Sequence, residues 1–159
     1  SVNLFDFGCM RIFKGKFIKG VIDLYFALQK NDQAKIVDAY EQWGFTDISK
    51  KKIEVLNKWA KFIYSPLMKD KVQKIQESDS GVYGAKVAAE VHSELKKLGG
   101  IKPPKEFVFM DRAAVGLGSV FMHLKAEVNW YRLFNNLIEN FQEKELNKRQ
   151  QKALKLSNL

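Results

Sequence analysis

The sequence is poor in the residues that usually build metal centres. It has one cysteine, Cys9, and two histidines, His92 and His123. A single cysteine excludes an internal disulfide and a zinc-binding thiolate cluster, and it is consistent with a reducing compartment. Neither histidine has a second ligand at a spacing such as H-E-x-x-H. We therefore assign no catalytic or metal role to either histidine, and we interpret Cys9 as a small packed residue.

Long apolar runs are also absent. The longest runs from Ala113 to Met122, and Arg112, His123 and Lys125 flank it. Because a bilayer span needs about 18 or more apolar residues, we predict no transmembrane helix. The chain begins with Ser1, and no signal-like segment follows it. We expect a chain that was processed or cut from something longer, located in the cytoplasm.

The composition predicts one folded domain. The 159 residues are 46% hydrophobic and 13% aromatic, which argues against disorder and suffices for a single core. Basic residues number 27 and acidic residues 18, so the net charge is +9. This charge suits nucleic acid, anionic lipid or phosphate ligands, and it equally suits a solvated surface.

Helical periodicity dominates the chain after a short β-favouring run from Val2 to Phe5. We predict a mainly α fold of five to six helices, with one short strand near the amino terminus. We predict the second helix between Asp32 and Gly44, and the third between Asp47 or Ser49 and Pro66. Residues 70–84 are predicted as a loop, and Gly99-Gly100 ends the fourth helix. Pro103-Pro104 opens the fifth helix, and Asn129 opens the sixth.

The fifth predicted helix is apolar on most sides. Such a pattern is typical of a central, buried helix, and Gly116 and Gly118 would let a neighbouring helix approach closely. Arg112 lies within it, and an unpaired buried charge is costly. We therefore predict that Arg112 is structural and forms a buried ion pair.

The amino-terminal run ends at Asp6-Phe7-Gly8. A carboxylate held at a strand end is a hard oxygen ligand that can bind the Mg²⁺ bridging nucleotide phosphates, as in the DFG motif of kinases. On the motif alone, a turn after an edge strand with Asp6 facing solvent is the favoured interpretation.

Two segments together resemble one family. The stretch from Leu4 to Arg11 is similar to the DFG segment of the UbiB/AarF family of atypical protein-kinase-like proteins. The later series, which is similar to that family's carboxy-terminal signature helix, consists of Pro103-Pro104-Lys105-Glu106-Phe107, Arg112, Gly116, Gly118, Leu124 and Asn129-Trp130. The resemblance covers nearly the whole chain, except 70–84 and the part after Phe141.

The resemblance implies a kinase-like fold that binds ATP and Mg²⁺, linked to ubiquinone biosynthesis and isoprenoid lipids, and peripheral to the inner membrane. It implies that Asp6 is a metal ligand and that Asp6, Phe7 and Gly8 form the cofactor-binding motif. The nucleotide loop, the strand lysine with its glutamate and the D-x-x-x-x-N catalytic loop do not precede Asp6 in this sequence. We therefore expect an upstream kinase-like lobe as partner, and neither catalysis nor tight ATP binding by this chain alone.

The sequence leaves alternatives open. We divide residues 1–159 into a strand plus DFG at 1–8, a helical core at 14–142 and a basic tail at 143–159. A non-enzymatic basic helical module that binds an anionic membrane or, less favoured, nucleic acid is the alternative to the kinase-like reading. An aminoglycoside-phosphotransferase type of fold shares the Asp but explains the prolines and Arg112 less well. The phosphoryl acceptor and the oligomeric state are not predicted.

Overall fold

The computed structural model describes residues 3, 11–46, 48–76 and 82–156. Within them the fold is mainly α, as predicted, with seven α-helices and one two-stranded sheet. The elements in chain order are α1 (Gly15–Gln29), α2 (Gln33–Trp43), α3 (Lys50–Tyr64) with a 3₁₀ turn (Ser65–Leu67), β1 (Gln73–Lys74), α4 (Val82–Lys97), α5 (Lys105–His123), β2 (Glu127–Val128), α6 (Trp130–Ile138) and α7 (Glu143–Leu156).

Helix boundaries follow the capping signals of the sequence. The Asp32 carboxylate accepts a hydrogen bond from the Lys35 amide, and the Ser49 hydroxyl accepts one from the Lys52 amide. Gly44 ends α2 with φ +98°, a left-handed conformation that glycine adopts without steric cost. Ser49 is thus the N-cap of α3, and Asp47, the other predicted N-cap, lies outside the described residues.

The core lies where α1, α2 and α3 meet. Tyr25, Tyr40 and Phe45 are its largest fully buried side chains. Its one polar buried side chain among the described residues is Asn57, whose Oδ1 accepts a hydrogen bond from the Tyr40 hydroxyl at 2.9 Å. Burial raises the pKa of Tyr40 above its usual range, so that the hydroxyl remains a donor.

The contact of α1 with α2 requires glycine at position 20. A Cβ built on Gly20 would lie 2.5 Å from Cδ1 of the Trp43 indole. The indole is itself buried against Phe17 and Phe107, so it cannot move aside. The two helices therefore approach at a distance that only glycine permits.

The sheet within the described residues lies in another part of the chain than the strand that the sequence predicts. The predicted strand at 1–8 lies outside the described residues, apart from residue 3, which is in neither helix nor strand. The observed sheet pairs β1 with β2 in antiparallel register, Gln73 opposite Val128 and Lys74 opposite Glu127. The sheet joins two segments of the chain. One follows α3, in the stretch 70–84 that the sequence predicts as a loop, and the other lies between α5 and α6.

The predicted burial of the fifth helix is wrong. The helix exists at the predicted place and Pro104 precedes its first residue, but none of its residues is buried. Residues 112–117 are exposed around the whole circumference. The helix is apolar on most sides, but the other described residues pack against it mainly near its two ends.

Candidate functional site

The carboxylate predicted to bind metal cannot be placed. Asp6, Phe7 and Gly8 lie outside the described residues, as does Cys9. The chain becomes described again at Arg11, four residues before α1. Among the described residues, Arg11 is the nearest to this motif along the chain, and it contacts α5.

Arg11 lies against α5. Its guanidinium carbon is 4.7 Å from the centroid of the Phe109 ring, which is a cation–π distance. Phe109 belongs to the first half of α5, two residues after Phe107, which is part of the series that resembles the signature. Arg11, three residues after Gly8, thus contacts the helix that carries the second motif, about a hundred residues later.

The amino-terminal end of α5 is anchored to the core. The Phe107 ring lies 5.4 Å from the Trp43 ring and 5.5 Å from the Phe45 ring, centroid to centroid. One turn later, the Asp111 carboxylate accepts a hydrogen bond from the Trp59 indole at 3.1 Å. Burial raises the pKa of Asp111, and the indole hydrogen bond opposes that rise.

The carboxy-terminal end of α5 is anchored through Trp130. The Phe121 and Trp130 rings meet edge to face at 4.9 Å, and the indole nitrogen donates a hydrogen bond to the Gln73 carbonyl at 2.8 Å. Trp130 is 5% exposed. One residue therefore ties α5, α6 and the small sheet together.

Asn129 has two roles beside this tryptophan. Its side-chain oxygen accepts from the Arg132 amide and caps α6, and its amide nitrogen donates to Asp70 at 2.7 Å. The Arg132 guanidinium binds the same carboxylate at 2.8 Å. Hydrogen bonds from Arg132 and then Asn129 hold the pKa of Asp70 below its usual range. The Asn129-Trp130 pair thus has a structural role here.

Arg112 does not form the predicted buried ion pair. Its side chain is exposed, and the described residues provide it with neither an ion pair nor a hydrogen bond. The prediction was wrong about its surroundings because it assumed that the whole helix is buried. The carboxylate next to it, Asp111, is the α5 charge that faces the body of the protein.

The described residues hold no metal cluster. Within 11–46, 48–76 and 82–156, no three His, Cys, Asp or Glu side chains come together as a metal site. The His123 ring nitrogen lies 2.8 Å from the Ser119 carbonyl of its own helix. None of the helices in these ranges is long and apolar enough to cross a membrane.

A groove of 820 Å³ lies on another part of the surface, between α1 and the α6–α7 connection. Ile22, Phe26, Ile138 and Phe141 give it an apolar floor, and Asp23 and Glu143 are among the charged residues at its edges. No residue of α5 lines it. None of the described residues in the series from Pro103 to Trp130 that resembles the signature lines this groove.

The sequence predictions missed Asp70 and the docking of α7. Asn129 could be found as a helix cap, but nothing near Asp70 in the sequence indicates a partner some sixty residues away. The predicted tail is a packed helix, because Gln150 donates to the Phe13 carbonyl at 2.7 Å. No family model matches the chain, and no curated protein or solved structure is significantly similar to it.

Proposed function

We propose that this chain is the carboxy-terminal helical part of a UbiB/AarF-type atypical kinase or ATPase that binds ATP and Mg²⁺. In this proposal Asp6 is a metal ligand, Phe7 and Gly8 complete the nucleotide-binding motif, and the protein serves ubiquinone or isoprenoid-lipid metabolism. The protein would work in the cytoplasm, peripheral to the inner membrane.

One contact supports the proposal most. Arg11, which ends the segment that resembles the DFG region, lies on Phe109 of the helix that resembles the signature. The two motifs are about a hundred residues apart in sequence. If the similarity of each segment to the family were due to chance, there would be no reason for the two segments to be in contact. Their contact is what a single functional region built from both motifs requires.

The proposal needs an upstream lobe. A phosphoryl-transfer site uses a lysine on the phosphates, a second metal ligand and a catalytic carboxylate besides the DFG aspartate. A single carboxylate would repel nucleotide phosphates instead of binding them. We therefore expect this chain alone to bind ATP weakly and to lack activity.

The test is the Asp6→Asn substitution in the full-length protein. The amide keeps the size of the side chain but loses the charge that binds Mg²⁺, so we expect Mg-dependent ATP affinity to fall at least tenfold, about 1.4 kcal/mol. The free energy of unfolding should barely change. Calorimetric titration with and without Mg²⁺ measures the first, and chemical denaturation the second.

Asp38→Asn is the matched control, since Asp38 is exposed on α2. It removes the same charge and should leave nucleotide affinity unchanged. Equal ATP affinity for wild type and Asp6→Asn would contradict the role of Asp6. Tight, Mg-dependent ATP binding by the 159-residue chain would contradict the need for an upstream lobe.

A second candidate function is adhesion to anionic membrane, and α7 favours it. This helix holds five basic residues against two acidic ones. Lys144, Lys148, Lys152 and Lys155 recur at steps of four, four and three residues, so they share one face, and all four are exposed. The opposite face, with Asn147 and Gln150, packs on α1. The lysines therefore face solvent on a fixed helix.

Replacing Lys144, Lys148 and Lys152 together by glutamine tests this candidate. Each basic side chain near an anionic surface contributes about 1 kcal/mol, so vesicle affinity should fall at least tenfold. Co-sedimentation with anionic vesicles at low and high salt is the measurement. Replacing Lys50, Lys51 and Lys52, at the start of α3, removes the same charge elsewhere. If both triple variants lose affinity equally, or if binding is insensitive to salt, α7 is not the adhesive element.

A further inference from the structure

The groove between α1 and the α6–α7 connection has the size of a site for a small ligand. Its volume of 820 Å³ lies within the range of about 300–1,000 Å³ that is usual for such sites. We call it the α1–α7 groove. Its apolar floor consists of Ile22, Phe26, Ile138 and Phe141. This floor can cover the apolar body of a ligand.

Phe26 presents an exposed aromatic ring on this floor. The residue is 40% exposed, whereas Ile22, four residues earlier on the same side of α1, is 8% exposed. The Phe26 ring lies 5.2 Å from the Tyr25 ring of the core, between centroids. An aromatic ring attracts a cation that lies within about 6 Å of its centroid. The floor can therefore contact both apolar carbon and a positively charged group.

The charges on the α1 side of the groove are already paired. The Lys19 ammonium group forms an ion pair with the Asp23 carboxylate, one turn later on the same helix. The Gln42 side-chain nitrogen donates a hydrogen bond to the same carboxylate at 3.2 Å. These two opposite charges cancel, so the α1 side favours neither a cationic nor an anionic ligand.

The α6–α7 side of the groove carries two carboxylates without a partner. Glu139 and Glu143 line the groove, and the described residues provide neither side chain with an ion pair or a hydrogen bond. Glu143 is the first residue of α7, where the helix dipole favours a negative charge. Glu139 is the C-cap of α6, where the dipole disfavours one. Helix stability therefore explains the charge of Glu143 but not that of Glu139.

The groove is negative in a chain that is strongly positive. Three carboxylates and two ammonium groups line it, so its net charge is −1, whereas the whole chain has a net charge of +9. One of the two ammonium groups, that of Lys19, is paired with Asp23. The other belongs to Lys144, on the exposed lysine face of α7. The charge of the groove thus complements a ligand with one positive charge.

We propose that the α1–α7 groove binds a small amphipathic cation, an apolar chain or ring that carries one ammonium group. The apolar body lies on the floor at Phe26, and the ammonium group pairs with Glu139. A neutral ligand would leave the Glu139 carboxylate unpaired, and an anionic ligand would be repelled by the net charge of the groove. This binding depends neither on the ATP site nor on adhesion through α7.

Three octyl compounds that differ in the charge of the head group test the proposal. Octyltrimethylammonium, octyl sulfate and octyl glucoside are titrated into the 159-residue chain below their micelle concentrations, with calorimetric detection. We expect the ammonium compound to bind at least fivefold more tightly than the other two. Amide chemical shifts in the nuclear magnetic resonance spectrum should change mainly within 19–26 and 136–144, which identifies the groove as the site.

Two variants separate the charge from the floor. Glu139→Gln keeps the shape of the side chain but removes its charge, so affinity for the ammonium compound should fall about three- to fivefold, as expected for an exposed ion pair. Affinity for octyl glucoside should not change. Phe26→Ala removes part of the floor and should weaken both compounds. Glu54→Gln, at an exposed position of α3, is the matched control and should leave all affinities unchanged.

Four outcomes overturn the proposal. They are equal affinity for the three compounds, wild-type affinity of Glu139→Gln for the ammonium compound, an equal loss of affinity in Glu54→Gln, and amide shift changes centred on α5. The last outcome would show that the octyl chain associates with the exposed apolar side chains of α5 instead of the groove.

Discussion

Replacing Tyr25 by alanine is expected to lower the free energy of unfolding by about 3–5 kcal/mol, the usual cost of removing a buried aromatic ring. Tyr25 is 0% exposed. Its ring lies 4.9 Å from Phe134 of α6 and 6.1 Å from Tyr64 of α3, between centroids. Tyr25 joins three helices that are distant in sequence. The substitution would therefore leave a cavity that the movement of one helix cannot close. Urea denaturation followed by circular dichroism measures the loss.

Tyr25→Phe separates the ring from the hydroxyl. The hydroxyl donates to the Leu67 carbonyl and accepts from the side-chain nitrogens of Gln29 and Asn135, each at 2.8 Å. Removing it leaves these groups without their partner, which typically costs about 1–3 kcal/mol. We therefore expect Tyr25→Phe to fall between wild type and Tyr25→Ala. A Tyr25→Ala midpoint equal to the wild-type value would show that this residue does not hold the three helices together.

Trp130→Ala is expected to have an effect of similar size, about 3–5 kcal/mol. The substitution removes the edge-to-face contact with Phe121 and the hydrogen bond to the Gln73 carbonyl together. Since β1 and β2 are two residues each, we expect their pairing to be lost with it. Hydrogen exchange of the Gln73 and Lys74 amides, with the unfolding midpoint, measures both consequences.

Trp130→Phe is the control for the hydrogen bond. Phenylalanine keeps an aromatic ring against Phe121 but has no N–H for the Gln73 carbonyl, so the loss should be smaller than for alanine. If Trp130→Ala leaves both the midpoint and the exchange rates unchanged, the Asn129-Trp130 pair does not clamp the sheet. The pair would then need a functional explanation.

Local chemistry allowed the sequence to predict the helices. The caps at Asp32 and Ser49 and the left-handed end at Gly44 depend on side chains within three or four residues, which the sequence displays directly. The same holds for the start of α5 after Pro103-Pro104 and the start of α6 after Asn129. The mainly α class follows from these signals and from helical periodicity.

The candidate site could be predicted only in part. Asp6, Phe7 and Gly8 were chosen by motif, and they remain a prediction because they lie outside the described residues. The sequence predicts a buried ion pair for Arg112 because α5 is apolar on most sides. Apolar periodicity indicates that a helix face favours burial, but it does not identify the residues that bury it. The structure leaves that residue exposed and places Asp111 against Trp59 instead.

By itself the sequence determined which segments are helical and where most of them begin and end, because those choices depend on neighbours along the chain. Tertiary structure alone decided which contacts join them. Asp70 meets Asn129 and Arg132, Arg11 meets Phe109, and α7 packs on α1, all across separations of about sixty residues or more. Such contacts depend on how whole helices pack, and no short stretch of sequence encodes that packing. For the same reason, only the fold could show that α5, although apolar on most sides, has a face that is exposed to solvent.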